Sequence, residues 1–423
     1  MAEKDFQVYR YRFVVLGVFM VINAVVQTLW ITFAPITGHA AEFYKVTDLD
    51  IGLLSMIWMI VYLVVSIPAS WVIDTYGSRV SVSIGAIFIA GFALMRGYFG
   101  SDYTMVLIAT IGLSIGQPFI MNANTTVAAK WFKITQRATA GGLAVLATFI
   151  GIIIGMAVTP ILTLEIGMQS MLIVYGWAAV ACAGIYIVFA REAPPTPPCP
   201  AGHEERALVL DGFKDVWKNK QFMLVMLVMF IGFGMFNGIT TWIEPIIRDR
   251  GFDMTQAGTL GAVILFAGIF GAIIWPVLSD KLRIRGRILM WAILLGVPGL
   301  IGLIYATRFD LLLLSGVILG FFSMSVGPIV YQFGAEITRP VPEGTSNGLL
   351  NMAGQLSGII FIFGMDMFKD ARTGSMTTIL LVLLGLKVAN IFFSSKLVDS
   401  HLIQEEAGGS PADADLESEP VAT

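Results

Sequence analysis

The residues of this chain best equipped to handle a small solute are amides and aromatic rings, set at helical intervals inside long apolar runs. Asn23, Gln27 and Trp30 recur at i, i+4 and i+7 and so share one helical face. Gln117 and Asn124, seven apart, share another, and Pro118 between them removes a backbone donor. Phe236, Asn237, Thr240, Thr241 and Glu244 make a third stripe. Ser323, Ser325, Gly327, Pro328, Tyr331 and Gln332 lie together in a fourth run, and Asn347, Asn351 and Gln355 follow at i, i+4 and i+8 in a fifth. Hydrocarbon gives an amide no partner, so each face must look at protein or water. A single such face reads most simply as glue between helices. Several in one chain point to a solute path. These faces carry no Lys or Arg, which disfavours an anionic solute on them.

The composition places these faces in a bilayer. The 423 residues are 57% hydrophobic and 13% charged, about half the charge of soluble domains. Mean hydropathy is +0.81. Cys182 and Cys199 do not make a disulfide framework, and His39, His203 and His401 are scattered outside the apolar runs. The sequence holds no metal-ligand constellation, no nucleophilic triad and no P-loop. The expectation is therefore a polytopic membrane protein that is not an enzyme, with no cofactor, no resident metal and no nucleic-acid partner. Its expected partners are a small-molecule substrate, the lipid bilayer and a coupling ion such as the proton, and it is expected to act as a monomer.

A membrane span needs about 20 apolar residues. Such runs fall at 11–35, 51–73, 80–98, 104–129, 138–162 and 168–190, then at 221–247, 256–279, 287–307, 310–335, 346–368 and 374–395. The fold class expected is all-α, with twelve spans in two six-helix pseudo-symmetric domains. The halves are 1–190 and 221–397, joined by a linker at 191–220 and followed by an acidic tail at 398–423 expected to be disordered. Lys and Arg concentrate in one set of loops, including Arg79, Lys130, Arg137, Arg206 and Arg285, which predicts that both termini are cytoplasmic. The halves echo each other weakly, as Ala34-Pro35-Ile36 against Glu244-Pro245-Ile246. Polar faces recur in spans 1, 4, 7 and 10, the first members of four three-span repeats. Spans 3, 6, 9 and 12 are plainer, except for Lys387, which is open between snorkelling and inward pairing. Gly151 and Gly155 in span 5, and Gly261, Gly268 and Gly271 in span 8, predict close, sliding helix contacts.

Two resemblances sharpen the reading. Ser70 to Val80, SWVIDTYGSRV, resembles the signature between spans 2 and 3 of the major facilitator superfamily, G-x-x-x-D-x-x-G-x-[RK]. Asp74, Gly77 and Arg79 fit it, and Ser70 stands where the first glycine belongs. The resemblance implies a gating latch at Asp74 and Arg79, with Gly77 permitting the turn. The simpler reading is a surface charge pair of little worth. Gly116 to Phe132, GQPFIMNANTTVAAKWF, and Gly334 to Phe361 resemble the FLVCR (feline leukaemia virus subgroup C receptor-related) family of choline, ethanolamine and haem transporters. That resemblance implies a choline-sized cation held by Trp30, Gln117 and Gln355, with Phe236 where the family has tyrosine. Ring faces suit a quaternary ammonium, at roughly 0.5–2 kcal/mol each.

The function expected is transport of a choline- or ethanolamine-type cation by alternating access. The candidate substrate residues are Trp30, Gln117, Phe236, Gln355, Asn23, Gln27, Asn124, Asn237, Tyr331 and Asn351. The candidate gating or coupling residues are Asp74, Gly77, Arg79 and Glu244, the last standing equally open to plain interfacial solvation. The alternatives are proton-coupled transport of another metabolite or amphiphile, such as haem or a drug-like molecule, and a non-transporting receptor on the same fold.

Overall fold

The computed structural model describes residues 9–196, 213–339, 341, 343–370 and 372–399. Most of the linker and the tail from Ser400 lie outside the described residues.

Every regular element among the described residues is helical, and 12 helices are long and apolar enough to cross a membrane. Spans 1 to 6 are Arg12–Tyr44, Asp48–Tyr76, Ser78–Tyr98, Tyr103–Trp131, Thr139–Ile166 and Met168–Phe189. Spans 7 to 12 are Lys220–Thr241, Met254–Leu282, Arg285–Tyr305, Phe309–Ile337, Gly344–Met367 and Thr377–Ser395. Several run a turn beyond their apolar runs because polar residues cap them. Thr47 and Asp50 form a capping box at the start of span 2, and Asp253 and Gln256 form the equivalent box on span 8. Asp102 caps span 4 and Asn219 caps span 7.

With an even number of crossings, Tyr9 and Asp399 lie on the same side, here called the proximal face. The distal face carries the turns after spans 1, 7 and 11. The Pro35 and Pro245 echo is a shared bend. Span 1 breaks into the short helices Ala34–Ile36 and Thr37–Tyr44, and span 7 into Ile243–Arg248, and these bent ends pack on each other. Span 4 also breaks, between Met121 and Asn124, so Gln117 and Asn124 sit on two helical segments rather than one continuous face. Prolines recur at matching levels within the halves, as Pro68 and Pro276 in spans 2 and 8.

The halves touch along spans 2 and 11 and along spans 5 and 8. Small residues mostly serve packing inside each half. Gly151 and Gly155 seat span 5 against Ala24, Thr28 and Ile31 of span 1, and Gly268 and Gly271 seat span 8 against Met324 and Phe321 of span 10. Gly261 alone of the glycines singled out above meets the other half, at Met156.

Candidate functional site

On the distal face a group of charges joins the halves. Asp48, at the start of span 2, takes both Arg248 from the short helix after span 7 and Lys369 from the turn after span 11. Glu244 is 5% exposed and accepts a hydrogen bond from the Gly38 N–H at 3.0 Å, with Arg248 at 3.6 Å. Burial pushes the Glu244 carboxyl above the usual carboxylate range, and Arg248 and the Gly38 N–H offset only part of that. Beneath the charges, Trp242 packs over Gly52 of span 2 and donates its indole N–H to Ile362 O at 2.9 Å. Glu244 is therefore buried within a charged layer that draws the distal ends of the two halves together.

Below this charged layer the sequence-derived residues fall into two sets. By helical rise, Asn237 and Phe236 lie about 10–12 Å beneath Glu244, and Ser55 lies about 10 Å beneath Asp48. Trp30 joins the first set by donating its Nε1 hydrogen to Ser55 O at 3.3 Å. Gln355 lies about 21 Å along its helix from Lys369, and Gln117 the same distance along its helix from Tyr103, whose hydroxyl bonds Asp50 O near the charged layer. The two sets lie close together along the bundle: Asn237 meets Gly358, one helical turn above Gln355, and Gln27, one turn below Trp30, reaches Met121, one turn below Gln117.

The amides differ in what they already hold. Gln117 and Gln355 make no hydrogen bond among the described residues. Asn237 Nδ2 is buried without a partner, and so is Asn124 Oδ1. Asn237 meets Gly358 of span 11, where Met59 of span 2 also arrives. Gln27 reaches Met121 Sδ at 3.4 Å, and Asn23 bonds Phe19 O of its own helix. The Asn23 amide nitrogen thus has a partner within its own helix.

The structure adds Tyr62, which the sequence reading missed. Its hydroxyl donates to Asn122 Oδ1 at 2.6 Å and accepts from Asn351 Nδ2 at 2.9 Å, joining spans 2, 4 and 11 across the halves. Tyr331 lies within electrostatic reach of it. A lone tyrosine in an apolar run has no periodic partner in sequence, so no pattern marks it.

Residues 12–362 match the family described as Major Facilitator Superfamily. The chain belongs to that superfamily. It is similar to Solute carrier family 49 member A3 of Xenopus tropicalis, 28% identical over 375 residues that cover 85% of this chain and 78% of that protein. It is also similar to the Choline/ethanolamine transporter FLVCR1 of Mus musculus, 27% identical over 387 residues covering 83% and 68%. Choline/ethanolamine transporter flvcr2a of Danio rerio is 28% identical, covering 96% and 91%. Among solved structures, a bacterial homologue of the human lysosomal transporter Spinster, inward-facing and unoccupied, superposes with a TM-score of 0.73 at 17% identity, covering 92% and 95%. The protein is thus a multi-pass transporter of the major facilitator superfamily that resembles the FLVCR proteins.

The superfamily signature lies at the proximal face. Gly77 has φ +92°, and its amide bonds Ile73 O, so it both ends span 2 and turns the chain. Asp74 and Arg79 are exposed. The residue that secures the turn is Glu192, just after span 6. It accepts from Ser78 N at 3.1 Å and Arg79 N at 2.6 Å and pairs with Lys130. Ser70, in place of the first glycine, faces the interior. It is 5% exposed and accepts from Asn122 Nδ2 at 3.0 Å. The second half repeats the device. Asp399, after span 12, accepts from Gly286 N at 2.7 Å, while Arg285 holds Glu336 through two hydrogen bonds and Asp280 through a third.

Proposed function

We propose that the transporter moves a small organic cation of choline or ethanolamine type through the path beneath the distal gate, by alternating access. The observation that carries this is the order of groups along the path. Trp30 and Phe236 offer ring faces just under the gate, and Gln117 and Gln355 offer unengaged amides below them. A cationic head between the rings and a hydroxyl toward the amides would use both sets. Asn237 stands beside the rings, and Tyr62, Asn351 and Tyr331 border the amides, with Gln27 and Asn124 beside them. The names of the FLVCR relatives, choline/ethanolamine transporters, support the same class.

The two six-span halves, 1–190 and 221–397, are the units that rock, and the 191–220 segment ties them. Asp48, Glu244, Arg248 and Lys369 form the distal gate. Gly77, Arg79 and Asp74 form the proximal turn that Glu192 anchors. We place the proximal face in the cytoplasm, on the Lys and Arg bias of the proximal loops, and take the protein to work as a monomer in the cell membrane. A coupled second reading rests on Glu244. A carboxyl buried in the gate with a raised proton affinity can tie closure to protonation.

The experiment is ligand-induced stabilisation of the purified protein with choline, ethanolamine, betaine and haem. A cation that occupies the path at roughly 100-fold over its dissociation constant adds about 2.7 kcal/mol. Stabilisation by haem or betaine alone would move the substrate to another class.

A further inference from the structure

A second chemically distinct place lies inside the C-terminal half. A cavity between spans 7, 8, 9, 10 and 12 is lined by Phe236, Thr240, Ser323, Met324, Lys387 and Asn390, with apolar side chains around them. Lys387 is at mid-span and 5% exposed. Its Nζ has one hydrogen bond, a long one of 3.4 Å to Ser323 Oγ. Gly296, at the break in span 9, leaves the ammonium its room, because a Cβ there would lie 3.0 Å from Nζ. Asn390, one helical turn along and 3% exposed, gives Nδ2 to Val228 O, while its Oδ1 is buried without a partner.

No carboxylate among the described residues lines this cavity. The other charges of the surrounding helices sit at their ends: Lys220 on span 7, Asp280 and Lys281 on span 8, Arg285 and Arg287 on span 9, Asp310 and Glu336 on span 10. Ser323 is thirteen residues from both Asp310 and Glu336, about 20 Å along the helix in either direction. A mid-membrane ammonium without a counter-charge is costly, and such residues mark solute or ion sites.

We propose that Lys387, Ser323 and Asn390 form a binding site for a small monovalent anion, a halide or a short carboxylate. Lys387 supplies the charge and the Ser323 hydroxyl is free to donate. Asn390 Oδ1 accepts from an ordered water or from Nζ once the anion draws it round. The site adjoins the path through Phe236 and Thr240. A bound anion removes the repulsion that Lys387 exerts on a cation at Phe236, so the two solutes bind with positive coupling. The coupling rests on the proposed cation path; the anion site does not.

The test is thermal stability of the full-length protein in gluconate, at constant ionic strength, at pH 6 and 7.5, with no organic cation added. Chloride, bromide, acetate and propionate are titrated separately, so that halide and carboxylate selectivity are told apart. The wild type should gain a few degrees, saturably, at roughly tenfold over the half-effect concentration of the preferred anion. Lys387→Met should lose the response and Lys387→Arg should keep it. Asn390→Asp supplies an internal carboxylate one turn away and should raise the starting stability while abolishing the anion effect. A wild type with no saturable response at either pH, or Lys387→Met and Asn390→Asp variants that respond like wild type, overturns the site. The anion site stands or falls on this titration even if choline proves not to be the substrate.

Discussion

Asp48→Asn is the sharpest probe of the distal gate. The Asp48 side chain is 12% exposed and engages two cations, one 17% and one 37% exposed. An exposed pair is worth about 0–1 kcal/mol, and breaking a buried one costs about 3–5 kcal/mol. This cluster lies between, so about 2 kcal/mol of preference for the closed distal face should vanish, or roughly 30-fold in the closed-to-open ratio. Met59 lies beneath the gate and is 3% exposed. In a Cys182→Ser/Cys199→Ser background, Met59→Cys should react with an impermeant thiol reagent added at the distal side roughly 30-fold faster once Asp48 is Asn. Thermal stability measured alongside separates opening from misfolding. An unchanged labelling rate in a folded Asp48→Asn protein would refute the gate.

Three further outcomes follow from named contacts. Protonating Glu244 favours the closed distal face, because its affinity for the proton is raised there and ordinary once the gate opens to water. Distal accessibility of Met59→Cys should therefore rise as pH climbs through the raised closed-state value, and Glu244→Gln should remove that dependence; a wild-type profile unaffected by pH contradicts it. Gly77→Ala forces a side chain to φ +92° beside Glu192 and should cost about 1–3 kcal/mol of stability in a thermal melt, whereas neutrality would mean the turn is not strained. Gln355→Ala should weaken choline more than tetramethylammonium in equilibrium binding, since only choline has a hydroxyl for the amide; equal losses would make Gln355 a packing residue.

The spans are legible in the sequence because each is a long run of apolar residues bounded by caps such as Thr47, Asp102 and Asp253. Helical periodicity groups Gln27 with Trp30 and Asn351 with Gln355, but it also groups Gln117 with Asn124, which the break after Met121 puts on separate segments. The gate is not legible in this way. Asp48 meets Arg248 and Lys369 across 200 and 321 residues of chain, and each of the three reads locally as an ordinary loop charge. Glu192 is hidden for the same reason, since its partners Ser78, Arg79 and Lys130 belong to turns that precede it by 62 residues or more. Periodicity along one helix carries no signal for pairing between distant turns.

Choline flux into proteoliposomes tests the central claim most directly. The purified wild type should carry choline, and external ethanolamine should compete. Trp30→Ala should lose more affinity than Trp30→Phe, which keeps a ring face, and Phe236→Tyr should keep or improve it. Flux absent in the wild type, or lost equally in all three variants for every solute tested, would contradict a cation held between those rings.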